Sequence, residues 1–160
     1  MEVRRSALVG FPAETMFDLI EAAERYPDFL PWCTAATVLE RDDQVVVAEI
    51  GVNFRSVRLD FTTRNSKRRP EFMAITLERG PFRRFDGDWH LTPLGPDGCK
   101  IEFALRYDFD SRVVSRIVGP VFERIANTLV DAFVARAGDL RASADRGGKT
   151  AVPGGTADPA

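Results

Sequence analysis

At 160 residues the chain is the size of one domain with room for a sizeable core. A hydrophobic fraction of 44% and a charged fraction of 29% are those of a globular protein, and a formal charge of -2 gives no general attraction to phosphate backbones or anionic lipid, so DNA is a poor fit as a partner. Two cysteines, Cys33 and Cys99, and one histidine, His90, form no cluster of metal-ligand spacing, so neither a metal nor a required cofactor is expected.

A strand is predicted over Glu2 to Val9. In "FPAETMFDLIEAAERY", Met16, Phe17, Ile20 and Ala23 fall at helical spacing behind a proline suited to a first turn, which predicts a helix near 13 to 24. Tyr26 to Pro31, within "YPDFLPWC", reads as a broken helical turn, because each proline biases the residue before it away from the helical region. No apolar run approaches the roughly 20 residues of a membrane span, and Glu2 with Arg4 and Arg5 opens no secretory signal. A cytoplasmic protein is expected.

The middle of the chain alternates in polarity. Val57, Leu59 and Phe61 oppose Arg58, Asp60 and Thr62, and Ile101, Phe103, Leu105, Tyr107 and Phe109 oppose Lys100, Glu102, Arg106 and Asp108. The same parity turns Val46, Ala48, Ile50 and Val52 inward, then Met73, Ile75 and Leu77, then Phe85, Trp89 and Leu91. Turn signals at Asp42-Asp43, 66–70, 79–81 and 95–98 join six or seven such strands into an antiparallel meander.

Asp110 is a suitable N-cap for a long C-terminal helix. Val113, Ile117, Val121, Ile125 and Leu129 follow at steps of four, and Val114, Val118, Phe122 and Phe133 widen the stripe. A face this broad must lie on the apolar side of the sheet, with Gly119-Pro120 expected to kink or split the helix. From Ser143 the chain has no aromatic and one large aliphatic, so a domain over 1–142 and a disordered tail over 143–160 are expected.

Catalytic chemistry finds little to stand on. Asp86 and Asp88 flank Gly87 and, with His90, take the wet parity of their strand; Cys33 has no histidine near it in sequence and reads as a buried thiol. Arg79, Arg83 and Arg84 surround "GPF", and "RNSKRR" at 64 to 69 is a second basic run; each is either solvated charge or a contact for an anionic group.

The runs "YPDFLPWC", "FRSVRLDFTTRN", "GPFRRFDGDW" and "GPVFERIANTLVDAFVARA" resemble the coenzyme Q-binding START-like family, also called polyketide cyclase-like or SRPBCC, over about 1 to 140. The resemblance implies an α+β helix-grip fold: a curved antiparallel sheet of six to seven strands around the C-terminal helix, with a short helical pair after strand one. It also implies an internal cavity for ubiquinone or a related polyprenylated ligand, bound or delivered without catalysis in support of respiration or quinone biosynthesis. Within the same family lie a toxin that blocks ribosomal subunit association, with the ribosome as partner, and polyketide cyclases or aromatases. The residues expected on the ligand are Val52, Leu59, Phe61, Met73, Leu77, Trp89, Leu105, Tyr107, Ile117, Val121 and Ile125, with Tyr107 and Trp89 as donors. Phe29, Leu30 and Trp32 are expected as a stiff lid that guards the entrance and makes transient contact with the inner membrane.

Overall fold

The computed structural model describes residues 1–157, with side chains through Arg146. The chain runs β1 (Glu2–Val9), α1 (Ala13–Glu21), a 3-10 turn (Ala23–Arg25), α2 (Tyr26–Phe29), β2 (Cys33–Arg41), β3 (Val45–Phe54), β4 (Val57–Arg68), β5 (Phe72–Arg79), β6 (Phe82–Pro93), β7 (Cys99–Phe109) and α3 (Arg112–Ala157). Seven antiparallel strands form one sheet in the order β1-β7-β6-β5-β4-β3-β2. Because β1 and β2 sit at opposite edges, α1 and α2 carry the chain across. Register shifts at Cys33/Ala35, Val38/Glu40, Thr62/Thr63 and Phe82/Arg84 accompany the bending of the sheet around the last helix.

The alternation seen in the sequence places the core. Leu59 and Phe61 on β4, Phe85 and Trp89 on β6, and Phe103, Leu105 and Tyr107 on β7 are buried, and α3 lays Val118, Phe122, Ile125, Ala126, Val130 and Phe133 onto them. Phe122 is the hub, with ring centroids 4.8 Å from Tyr107, 5.3 Å from Phe82 and 5.8 Å from Phe109. Gly87 lets β6 and β7 approach: a Cβ there would lie 2.5 Å from the Ala104 carbonyl oxygen.

Several details depart from the sequence reading. The helix expected near 13 to 24 ends at Glu21 and continues only as the 3-10 turn. Ser111, not Asp110, caps α3, its Oγ accepting from the Val114 N–H at 3.4 Å, while the Asp110 N–H bonds to the Pro81 carbonyl at 3.1 Å. Gly119-Pro120 does not split α3. Pro120 lies on the exposed side, where the Arg116 carbonyl that loses its N–H partner has water available. The hairpin between β3 and β4, unmarked by glycine or proline, turns on Arg55 at φ 58°. The part of the expected disordered tail from 147 to 160 lies outside the residues whose side chains are described; Ser143 to Arg146 are exposed.

Candidate functional site

Between α3 and the sheet the core is not completely filled. A cavity of about 100 Å³ remains, walled by β3 (Val46, Ala48, Ile50, Val52), β4 (Phe61, Thr63, Asn65), β5 (Met73, Ile75), β6 (Phe85, Trp89), β7 (Phe103, Leu105) and α3 (Phe122, Ile125, Ala126, Leu129). Ile20, Glu21, Ala23, Tyr26 and Trp32 close it from the helical crossing. Aromatic pairs stiffen the wall: Trp89 and Phe103 lie 4.4 Å apart between centroids, Phe61 and Phe85 5.3 Å.

Of the side chains expected on a ligand, the structure brings Trp32, Val52, Phe61, Met73, Trp89, Leu105 and Ile125 to this wall. Leu30 and Leu59 are buried in the core without reaching it, Leu77 is half-buried away from it, and Val121 is half-buried at the border of the helix face. Tyr107 is fully buried beyond Phe122, its hydroxyl without a partner, so it is no donor to the cavity; burial pushes its phenol up to about 12. Ile117 is 61% exposed and Val113 64%, contrary to the inward placement expected of them. Steps of four residues overshoot the 3.6-residue turn by about 40° each, so the row that ends inside at Ile125 and Leu129 begins outside.

"YPDFLPWC" acts largely as a packed corner rather than a free lid. Tyr26 donates its O–H to the Ile20 carbonyl, Phe29 stacks edge-on against Phe133 at 5.5 Å under the guanidinium of Arg136, and Leu30 is 1% exposed. Trp32 is the residue of the expected lid that reaches the cavity while remaining half-exposed.

The polar part of the wall was not singled out in the sequence, although the parity of "VRLDFTTRNSK" carries it. The inner face of β4 runs Val57, Leu59, Phe61, Thr63, Asn65, Lys67, changing character halfway. Lys67 donates to Glu21 at 3.1 Å, and Glu21 also accepts from Arg41 Nε at 2.7 Å, so the far end is a satisfied ion cluster. Asn65 Oδ1 is buried with no partner. Leaving such an acceptor unpaired costs about 1–3 kcal/mol.

The remaining candidates take the places that parity gave them. Asp86 and Asp88 lie on the outer face against Arg106, at 2.8 and 3.6 Å, and His90 is exposed beside Asp88 at 3.4 Å. Cys33 and Cys99 are buried free thiols, the former pushed up to about 11 by desolvation. Among the described residues no group of three or more His, Cys, Asp or Glu could hold a metal ion, and no helix is long and apolar enough to cross a membrane.

A second feature lies on the outer side of α3. Arg112, Val113, Arg116, Ile117 and Arg124 are exposed there, and the β5–β6 turn, tied to the start of α3 through Asp110 N–H and Pro81 carbonyl, adds exposed Arg79 and Arg83. Among the described residues none of these arginines makes an ion pair, whereas three of the four cations of "RNSKRR" do, Arg64 with Glu40 and Glu78, Lys67 with Glu21 and Arg69 with Asp18, while Arg68 lies over the Phe72 ring. The first turn of α3 holds no acidic residue, although the positive end of a helix dipole favours one.

Comparison with known proteins agrees with this architecture. The family model described as "Polyketide cyclase / dehydrase and lipid transport" matches residues 9–134. A Pseudomonas aeruginosa protein named ribosome association toxin RatA is 42% identical over 138 residues, 86% of this chain and 96% of its own. The mitochondrial coenzyme Q-binding protein COQ10 homolog B of Xenopus laevis is 27% identical over 88% of this chain and 59% of its own. The crystal structure of Zhui aromatase/cyclase from Streptomyces sp. R1128 superposes with a TM-score of 0.75 at 16% identity, covering 86% of this chain and 93% of that one, a likeness of fold alone.

Proposed function

We propose, for a chain that belongs to the polyketide cyclase/dehydrase and lipid transport family, that the space between α3 and the sheet holds the ring end of an apolar ligand, bound and handed on without chemistry. Ubiquinone or a related polyprenylated molecule is the first ligand to test. The observation that carries this reading is the aromatic-walled cavity itself, between α3 and the sheet. Its volume of about 100 Å³ is of the order of the ~150 Å³ apolar cavity that accepts benzene and below the roughly 300–1,000 Å³ of common ligand sites. A ring with a tail therefore requires α3 or the Trp32 segment to give way. The test is solvent extraction and mass spectrometry of protein purified from its own host, beside a variant in which Ala126→Leu fills the cavity. A lipid present at a constant ratio in the first and lost from the folded variant supports the reading; equal lipid in both, or none in either, would sink it.

A second reading, attachment to the ribosome, is supported by the outer arginine face and by the RatA name of a relative 42% identical. Arg79, Arg83, Arg112 and Arg116 leave positive charge unpaired on one side of a chain of net charge -2, and a polyanion is the partner that such a face attracts. Co-sedimentation with large ribosomal subunits, lost in an Arg112→Glu/Arg116→Glu double variant and weakened by salt, supports it. Sedimentation unaffected by the double variant argues against this face.

A further inference from the structure

Two residues on the inner face of β4, Thr63 and Asn65, put polar groups into a wall that is otherwise almost wholly apolar. The other polar groups at that end are already engaged: the Tyr26 hydroxyl donates to the Ile20 carbonyl, and Glu21 accepts from Arg41 and Lys67. Asn65 differs, because its Oδ1 is buried and accepts from nothing. Its cross-strand partners are Val46 and Ile75, which line the same cavity and offer no donor. An apolar side chain in its place would avoid the cost of that unpaired oxygen, so stability alone does not account for an asparagine here.

We propose that Asn65, with Thr63 beside it, anchors the head of the ligand by accepting a hydrogen bond from a ring hydroxyl, so that the cavity selects a phenol- or quinol-headed lipid, and thus the reduced rather than the oxidised form of a ubiquinone-type ligand, over an equally apolar molecule without that donor. This rests on the reading of the cavity as a ligand site and adds to it the chemistry of the ligand's polar end. The geometry suits it: Phe61 lies two residues before Thr63 on the same face of β4, and Trp89 lies across the sheet, so a ring among these aromatics would have its substituent oxygen at the polar stretch of the strand. A hydroxyl there supplies the donor that no protein group offers to Oδ1. A ligand with a methoxy group in the same place leaves Oδ1 unpaired, which is the asymmetry that gives a polar site its selectivity.

The test uses two probes that differ in that donor and one methyl group, 4-decylphenol and its methyl ether 4-decylanisole, delivered from cyclodextrin to the full chain and followed by the change in tryptophan fluorescence. A preference set by the methyl group's bulk rather than by the donor would persist in Asn65→Leu. The expected result is that the wild type binds the phenol about tenfold more tightly than the ether, the value of one net hydrogen bond. Asn65→Leu should bring the two affinities together, and Thr63→Val should narrow the gap. A merely structural asparagine would lose stability on replacement, whereas Asn65→Leu here should show a urea midpoint equal to or above that of the wild type. Equal binding of both probes by the wild type overturns the anchor and leaves the cavity reading standing. Binding of neither probe overturns both, and a tenfold preference that survives in a folded Asn65→Leu or Asn65→Ala variant places the anchor elsewhere and overturns the assignment.

Discussion

Ile125→Asp, compared with Ile117→Asp eight residues earlier on the same helix, tests which face of α3 meets the sheet. Ile125 is 6% exposed and borders the cavity, whereas Ile117 is 61% exposed. Removing a buried isoleucine side chain forfeits about 1.5–3 kcal/mol. The wall around Ile125 contains no lysine or arginine, so the introduced carboxyl has no counter-charge and its pKa must rise. A rise of about 3 units adds about 4 kcal/mol at neutral pH, for a total of roughly 5–7 kcal/mol. That is comparable to the ~5–15 kcal/mol stability of a typical domain, so the variant should be largely unfolded at pH 7. The sign with pH follows: a folded pKa raised above the unfolded value leaves the charge penalty absent below about pH 4 and increasing as pH rises. Urea midpoints for both variants and the wild type at pH 4.5 and 7 decide the matter. Ile125→Asp should lose far more at pH 7 than at pH 4.5, and Ile117→Asp should stay near the wild type at both. A loss in Ile125→Asp that does not change with pH would mean the cavity is wet enough to hydrate a carboxylate, and comparable damage from Ile117→Asp would refute the assigned face.

Gly87→Ala should lower the stability measured by urea unfolding by about 1–3 kcal/mol, because its Cβ meets a β7 carbonyl that cannot move alone, while Gly138→Ala, with nothing within 4 Å, should raise stability by about 0.5–1 kcal/mol. Both thiols should resist a thiol reagent at pH 8 until urea unfolds the chain, and the stability gained from the burial of Cys33 should fall as pH rises from its ordinary 9.0 towards about 11. Desolvation alone would raise the Asp86 carboxyl, but hydrogen bonds from Arg106 and Arg84 outweigh it and hold it below 3.8. Its contribution should be present above pH 3.8 and lost as pH falls through the lowered value, and Asp86→Asn should remove that part of the acid transition. Trp32→Ala should weaken binding of 4-decylphenol while lowering the urea midpoint less than Phe103→Ala, a change worth about 3–5 kcal/mol; equal losses of stability with binding intact would make Trp32 part of the corner only.

The strands were legible because a period of two leaves little choice: once Phe61 is inside, Leu59 and Thr63 are inside as well. The same rule held the polar end of the cavity, yet Thr63 and Asn65 do not look like interior residues, and only the partner strands show Asn65 facing Val46 and Ile75. Tyr107 misled in the opposite way. Its inward parity is right, but β7 is long enough to pass the cavity, and Tyr107 falls in the aromatic cluster around Phe122. "YPDFLPWC" could not be resolved from composition because aromatics next to prolines suit a lid and a corner equally; the contacts of Tyr26 and Phe29 with Phe133 on α3, more than 100 residues away in sequence, decide for the corner.

The row of α3 at steps of four, misleading as a guide to burial, makes the two functional readings separable. Because the row drifts around the helix, Val113 and Ile117 sit outside among Arg112, Arg116 and Arg124, Val121 lies at the border, and Ile125 and Leu129 reach the cavity. The helix is continuous between these ends, so a substitution at one does not need to disturb the fold at the other. A charge reversal at Arg116 faces water and leaves every wall of the cavity intact, whereas filling the cavity at Ala126 changes no exposed charge. Distant changes of this kind combine additively when no partner is shared. A loss of ligand and a loss of a polyanionic partner can therefore be assigned to different sides of the same helix, and a single variant that abolished both would have acted through the fold.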